Sequence, residues 1–323
     1  MYSNEIYTKD ISFSELKQQF FFFKKAQGLS ERTIKDYKNT FSVFEKYYNK
    51  DEVNLQEIKQ KLLEMFVPLS QGAPATFNKP FANLNCFFNW AVTNEYIEKN
   101  PLRMTGLKKK KDTGKIRNVP NDVINKLLKN VDINTYIGFR DYVFIVLTLD
   151  TGIRPSEACG LELTDLDLEH FELEVRPIIA KTRIRRVLPL SYQTVEILKR
   201  FISIREDNWA KYLFLTIDGK QFSTNAWEFR TQYYSKKINY RFTPYDLRHT
   251  FAILYLKNGG NVFALQKLLG HTDLTMTKRY VNFVQSDINE QHITASPVNN
   301  FIQRTTRIKR LMKNVIKEVG TDE

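Results

Sequence analysis

Three short stretches of this chain hold residue types that could act on a phosphate. In TGIRPSE (151–157), Arg154 falls in a turn after an apolar run, and Glu157 opens the next helix, where a carboxylate suits the positive end of the dipole. In FTPYDLRHTFA (242–252), Tyr245 and Arg248 lie three residues apart near the start of a helix entered after Pro244. That spacing places both on one helical face, within reach of one ligand. In LLGHTDLTMTKRY (268–280), Gly270 ends a helix, His271 projects from the turn, and Tyr280 rides on the next helix. Each residue alone has an ordinary role: Arg154 as a surface or capping residue, Tyr245 as a half-buried aromatic with its hydroxyl satisfied, His271 and Tyr280 as packing. Together they suggest a chemistry. Two guanidiniums can hold the non-bridging oxygens of a phosphate through charge-assisted hydrogen bonds. A tyrosine hydroxyl is a competent nucleophile at phosphorus once that phosphate is clamped and its developing charge stabilised. The set fits phosphoryl transfer on DNA.

The bulk composition agrees. The 323 residues carry 49 Lys+Arg against 36 Asp+Glu, a net charge of +13, which suits a polyanionic partner such as nucleic acid. Apolar residues make up 42%, enough for globular cores at a length that accommodates two domains. No apolar run is long enough for a membrane span, and the N-terminal MYSNEIYTKDISFSE lacks the apolar region of a signal peptide, so a cytoplasmic location is expected. Cys86 and Cys159 read as isolated reduced thiols, and the four histidines show no ligand spacing beside them, so no metal is expected. Asp165, Asp167 and Glu169 alternate in TDLDLEH, which reads as one solvent-facing strand face rather than a two-metal nuclease cluster. No Walker loop is present.

The elements needed to position these residues come in two blocks. Residues 11–106 read as helical throughout. Ser12 or Ser14 caps a helix that Gly28 stops. Ile34, Tyr37, Phe41, Phe44 and Tyr48 mark the buried face of a second, and LQEIKQKLLEMFVPLS a third ending near Pro68. Phe81, Leu84 and Phe88 line a fourth. Residues 107–118, with four successive lysines, read as an exposed basic linker that could also touch phosphates. From 119 to 290 apolar helices alternate with a short hairpin set through Phe171, Leu173 and Val175. The reading is mainly α with a small antiparallel β-sheet, in two domains. A short tail, 1–10, precedes them, and an amphipathic tail, 291–323, follows, to dock on its own domain or on a neighbouring protomer.

TGIRPSE, the hairpin carrying Lys181, YDLRHTFA and LLGHTDLTMTKRY together resemble the ordered boxes of the tyrosine recombinase/integrase family, across roughly residues 150–285. The segment 11–106, with GLSERTIKDYKNTFSVFEKY, is similar to that family's helical core-binding domain. The resemblance implies a two-domain clamp around duplex DNA, a helical core-binding domain followed by an α+β catalytic domain. It implies that Tyr280 attacks the scissile phosphate to leave a 3′-phosphotyrosyl link, that Arg154 and Arg248 cradle the phosphate, and that Lys181 protonates the leaving 5′-oxygen. Lys220, in IDGK, is the competitor for that role but follows the wrong strand. By the same resemblance His271 bonds the phosphate or assists the nucleophile, and Glu157 orients the shell. Tyr245 stands where the family usually has histidine; tyrosine can donate to a phosphate oxygen but is a poor proton acceptor. Neither ATP nor metal is needed, because one phosphodiester is exchanged for another, and no cofactor is implied. The partners implied are double-stranded DNA core sites, three further copies in a synaptic tetramer, and a possible accessory or directionality factor, in a nucleoid-associated, bacterial-type setting. A mobile-element role is preferred. The alternatives are chromosome-dimer resolution, a type IB topoisomerase-like relaxation, or DNA binding without catalysis.

Overall fold

The computed structural model describes residues 11–111, 117–205, 211–284, 292 and 296–301. The chain divides into two compact units, Met1–Gly114 and Lys115–Glu323. In the first, helices α1 (Phe13–Ala26), α2 (Glu31–Phe44), α3 (Leu55–Ser70), α4 (Pro74–Thr93) and the single turn α5 (Pro101–Met104) enclose an aromatic core. The caps follow from the sequence. Ser12 and Glu15 form a reciprocal capping box on α1, Ser30 accepts from Thr33 N on α2, and Asn54 accepts from two amides of α3. Phe20, Phe44 and Phe87 are fully buried, and Phe20 meets Tyr37 and Phe87 edge-on at centroid distances of 5.2 Å.

Two local expectations shift. The second helix ends at Phe44, yet Tyr48 stays buried beyond it because its ring stacks on Phe44 and its hydroxyl donates to Glu52 O. The third covers the expected stretch, Leu55 to Ser70, with Pro68 in its last turn. The basic stretch expected to be an exposed linker is partly tied down. Asn78 brackets the Lys110 backbone with bonds of 2.8 and 2.9 Å, and the Lys110 ammonium lies 5.4 Å over the Phe77 ring. Residues 112–116 of that stretch lie outside the described residues.

The second unit comprises α6 (Asn121–Asn130), α7 (Tyr136–Thr151), α8 (Pro155–Cys159), the strands β1 (Leu166–Asp167), β2 (Glu172–Val175) and β3 (Arg186–Pro189), then α9 (Tyr192–Ser203), α10 (Thr224–Ile238), α11 (Pro244–Lys257), α12 (Val262–Leu269) and α13 (Leu274–Val284). The strands form one antiparallel sheet in the order β1-β2-β3, with Leu173 opposite Leu188 and Val175 opposite Arg186. Leu173, Val175 and Leu188 face the core, where α7 is buried almost all round. Phe171 does not join them. It sits half-exposed in the β1–β2 turn at φ 59°, so the period-two pattern starts one residue later than expected. Asp165 likewise leaves the solvent-facing set, because a 3-10 turn (Leu163–Asp165) precedes β1 and buries its carboxylate against Arg176, 2.5 Å away.

Among the described residues no group of His, Cys, Asp and Glu could hold a metal, and no helix is long and apolar enough to cross a membrane. Cys159 is buried and Cys86 partly so, both unbonded. The amphipathic stripe expected in the tail falls on 302–323, outside the described residues.

Candidate active site

Three arginines converge on the C-terminal end of α12. Arg186 Nε donates to Leu268 O at 3.0 Å, Arg248 Nη2 to Leu269 O at 2.8 Å, and Arg154 Nη2 to Gly270 O at 3.1 Å. Three consecutive carbonyls thus each take one guanidinium, at the helix end where unpaired carbonyls and the dipole favour cations. Gly270 makes this possible by ending α12 in the left-handed region, at φ 60°. Gly152 does the same at the end of α7, with φ 64°, and its carbonyl accepts from Arg248 Nη1 at 2.5 Å.

Each arginine reaches this point from a different element. Arg154 is the N-cap residue of α8, turned in by Pro155 at the first helical position. Arg248 lies on the buried side of α11, which packs on α7 and α13. Arg186 comes from β3. Glu157, wholly buried, answers two of them. It accepts from Arg154 Nη1 at 2.9 Å and from Arg186 Nη1 at 3.2 Å, with a second, shorter bond from Arg186 Nη2. Burial would raise the Glu157 carboxyl, but the bond and charge of Arg186, with Arg154 behind it, hold it below its usual range. The cluster still has three guanidiniums against one carboxylate. Burial, reinforced by the Arg154 charge, pushes Arg248 down to about 9, so it remains protonated near neutrality. A buried cationic excess of this kind is costly until an anion arrives.

His271 and Tyr280 complete the pocket. The His271 ring is held at both nitrogens, Nε2 3.3 Å from Arg248 Nη2 and Nδ1 2.9 Å from the hydroxyl of Thr277. Burial and then the Arg248, Arg154 and Arg186 charges push it down to about 4, so it is neutral at physiological pH. Its ring lies nearly parallel to that of Tyr280, 8° apart at a centroid distance of 6.5 Å. Tyr280 is 4% exposed, and burial raises its phenol while Arg248 and Arg154 oppose the rise. Its hydroxyl oxygen lies 2.7 Å from His249 Nδ1. A phenol able to act as a nucleophile, a nitrogen able to receive its proton and an anion cradle are therefore adjacent.

Arg154, Glu157, Arg248, His271 and Tyr280 are thus brought together. Lys181 is not. It stands exposed in the loop between β2 and β3, with no side-chain partner among the described residues. Tyr245 is 48% exposed on the first turn of α11. Arg186 and His249 join the pocket beyond the residues expected from the sequence. His249 follows Tyr245 by four residues and Tyr280 faces it, so the helical period used to link Tyr245 with Arg248 also reaches it. Arg186 had a weaker signal, one arginine among several in KTRIRRVLPL.

Comparison with known proteins places the chain in a family. Residues 117–286 match the phage integrase family and residues 12–111 the phage integrase SAM-like domain. Tyrosine recombinase XerC of Thermodesulfovibrio yellowstonii is 28% identical over 290 residues, 85% of this chain and 94% of that protein. Tyrosine recombinase XerD of Staphylococcus aureus is 29% identical over 283 residues, 84% of this chain and 94% of that protein. In fold, the chain is similar to the Tn1549 transposon integrase solved in complex with a circular intermediate DNA (TM-score 0.67, 24% identity, 82% of this chain and 94% of that one). It is also similar to a lambda integrase dimer bound to a COC′ core site (TM-score 0.69, 17% identity, 84% and 95%). With its family boxes on the residues that build the arginine cluster and carry Tyr280, the chain belongs to the phage integrase family and is a tyrosine-type site-specific recombinase.

Proposed function

We propose that the chain cuts and rejoins double-stranded DNA through a 3′-phosphotyrosyl link at Tyr280. The observation that carries this reading is the buried cationic excess of Arg154, Arg186 and Arg248 beside the Tyr280 hydroxyl, an anion site with a nucleophile at its edge. Arg154 and Arg248 take the non-bridging oxygens of the scissile phosphate, exchanging carbonyl bonds for stronger charge-assisted ones. Glu157 fixes the orientation of Arg154, and His271 adds a bond to the phosphate from its neutral ring. Tyr245, half-exposed on the same helix as Arg248, donates to a phosphate oxygen rather than receiving a proton. Lys181, exposed on the loop between β2 and β3, gives a proton to the leaving 5′-oxygen. Exchange between two duplexes needs four cleavages, so four copies act together.

The role proposed is integration, excision or transposition of a mobile element, supported by the departure at Tyr245 and the chain beyond 291. A second reading, resolution of chromosome dimers, is favoured by the similarity to XerC and XerD over more than four-fifths of the chain. Duplexes taken from the DNA flanking the gene separate the possibilities. Exchange between two such sites supports recombination, relaxation of supercoils without exchange would indicate a topoisomerase, and element ends or a replication-terminus site as the active sequence decides between the two roles.

A further inference from the structure

The Tyr280 hydroxyl must lose its proton to attack, and the pocket offers three side chains to receive it. Tyr245 is half-exposed, and a phenol is a poor acceptor near neutral pH. His271 has both nitrogens engaged, by Arg248 and by Thr277, and presents its ring face to Tyr280. His249 meets the hydroxyl with a nitrogen, Nδ1 to Oη at 2.7 Å, its ring tilted 44° to the phenol at a centroid distance of 5.7 Å.

We propose that His249 is the general base of strand cleavage, receiving the Tyr280 proton on Nδ1 as Oη attacks phosphorus; this rests on the reading of Tyr280 as the nucleophile. The Oη–P bond forms and the P–O5′ bond breaks. The phenolic proton passes to His249, and the departing 5′-oxygen takes one from Lys181. Religation runs the sequence backwards: the 5′-hydroxyl returns its proton to Lys181 as it attacks, and the His249 imidazolium restores the Tyr280 phenol. The geometry requires the neutral ring to carry its proton on Nε2. The groups facing the ring are Asp246 and Arg248 on its own helix, Arg279 and Tyr280 on α13, and His271 from the turn before it. Burial, then the two arginines against Asp246, hold the ring below the ordinary histidine value, so it is unprotonated and able to accept at physiological pH.

The test is single-turnover formation of the covalent adduct on a nicked duplex, with thermal unfolding and DNA binding measured in parallel. In His249→Asn, an amide oxygen can still bond the phenol but cannot take its proton. This variant is expected to bind DNA and to cleave about 10²- to 10⁴-fold more slowly. His249→Ala is expected to regain much of its rate with added imidazole. Wild-type cleavage should weaken as pH falls below the ordinary histidine range, and His249→Asn should lose that acidic limb, a change that a merely structural bond would not produce. Cleavage by His249→Asn within a few-fold of wild type, or with the wild-type acidic limb retained, would overturn the assignment. If the substitutions unfold the chain, the wild-type profile decides: a rate that shows no acidic limb at any pH at which the chain stays folded rules out a histidine base. Absence of any wild-type adduct would instead refute the reading of Tyr280 as nucleophile, and this assignment with it.

Discussion

Glu157 is the one carboxylate that the described residues place among three guanidiniums, two buried and Arg186 partly so, so its charge matters more than its size. Glu157→Gln keeps the volume and leaves Arg154 and Arg186 without a counter-ion. Breaking a buried pair in this way costs about 3–5 kcal/mol, which denaturant unfolding at neutral pH would measure. Its folded carboxyl lies below the unfolded value of 4.5, so its contribution is complete above that pH and is lost as pH falls through the folded value. The variant should therefore show a flatter acid limb than wild type. Arg154, Arg248, His271 and Tyr280 could be read from the sequence because their types and spacing imply one chemistry. Arg186 could not, because its place depends on strand register opposite Val175 and on which carbonyls α12 leaves open. His249 has a helical-period signal too, one turn after Tyr245, but only the packing of α13 on α11 brings Tyr280 to it.

At the scale of elements, the end of α12 organises the site, and Gly270 is its hinge point. A side chain there would pay about 1–2 kcal/mol for the left-handed conformation. Its Cβ would also lie 3.2 Å from the Arg186 guanidinium. Gly270→Ala should therefore unfold at lower temperature and form adduct more slowly, with Arg186 displaced from Leu268 O. Gly152→Ala should be worse, because its Cβ would lie 2.2 Å from the packed Phe251 ring. Gly270 is visible in the sequence as a helix stop. The two glycine carbonyls as arginine acceptors are not, since that depends on how α7, α11 and α12 meet. The cap at Ser12 is local and legible in the sequence, whereas Phe171 and Asp165 depend on where β1 begins.

For the whole molecule, the fold class followed from a change of rhythm, helical period alone before residue 107 and helices mixed with β-branched alternation after it. The net charge of +13 adds a prediction about binding. If the complex neutralises about six phosphates, affinity for duplex DNA should fall roughly 10³-fold between about 50 and 200 mM salt, along a straight line in log–log coordinates. A salt-insensitive affinity would mean that the charge is not the DNA footprint. Strand cleavage rests on one oxygen atom, the Tyr280 hydroxyl. Wild type and Tyr280→Phe should be incubated with the same nicked duplex, and any covalent adduct digested and mapped by mass spectrometry. The expected result is DNA attached to the peptide containing Tyr280 in wild type, and none in Tyr280→Phe despite retained binding. An adduct in the Phe variant, or one mapped to another residue, would contradict the account.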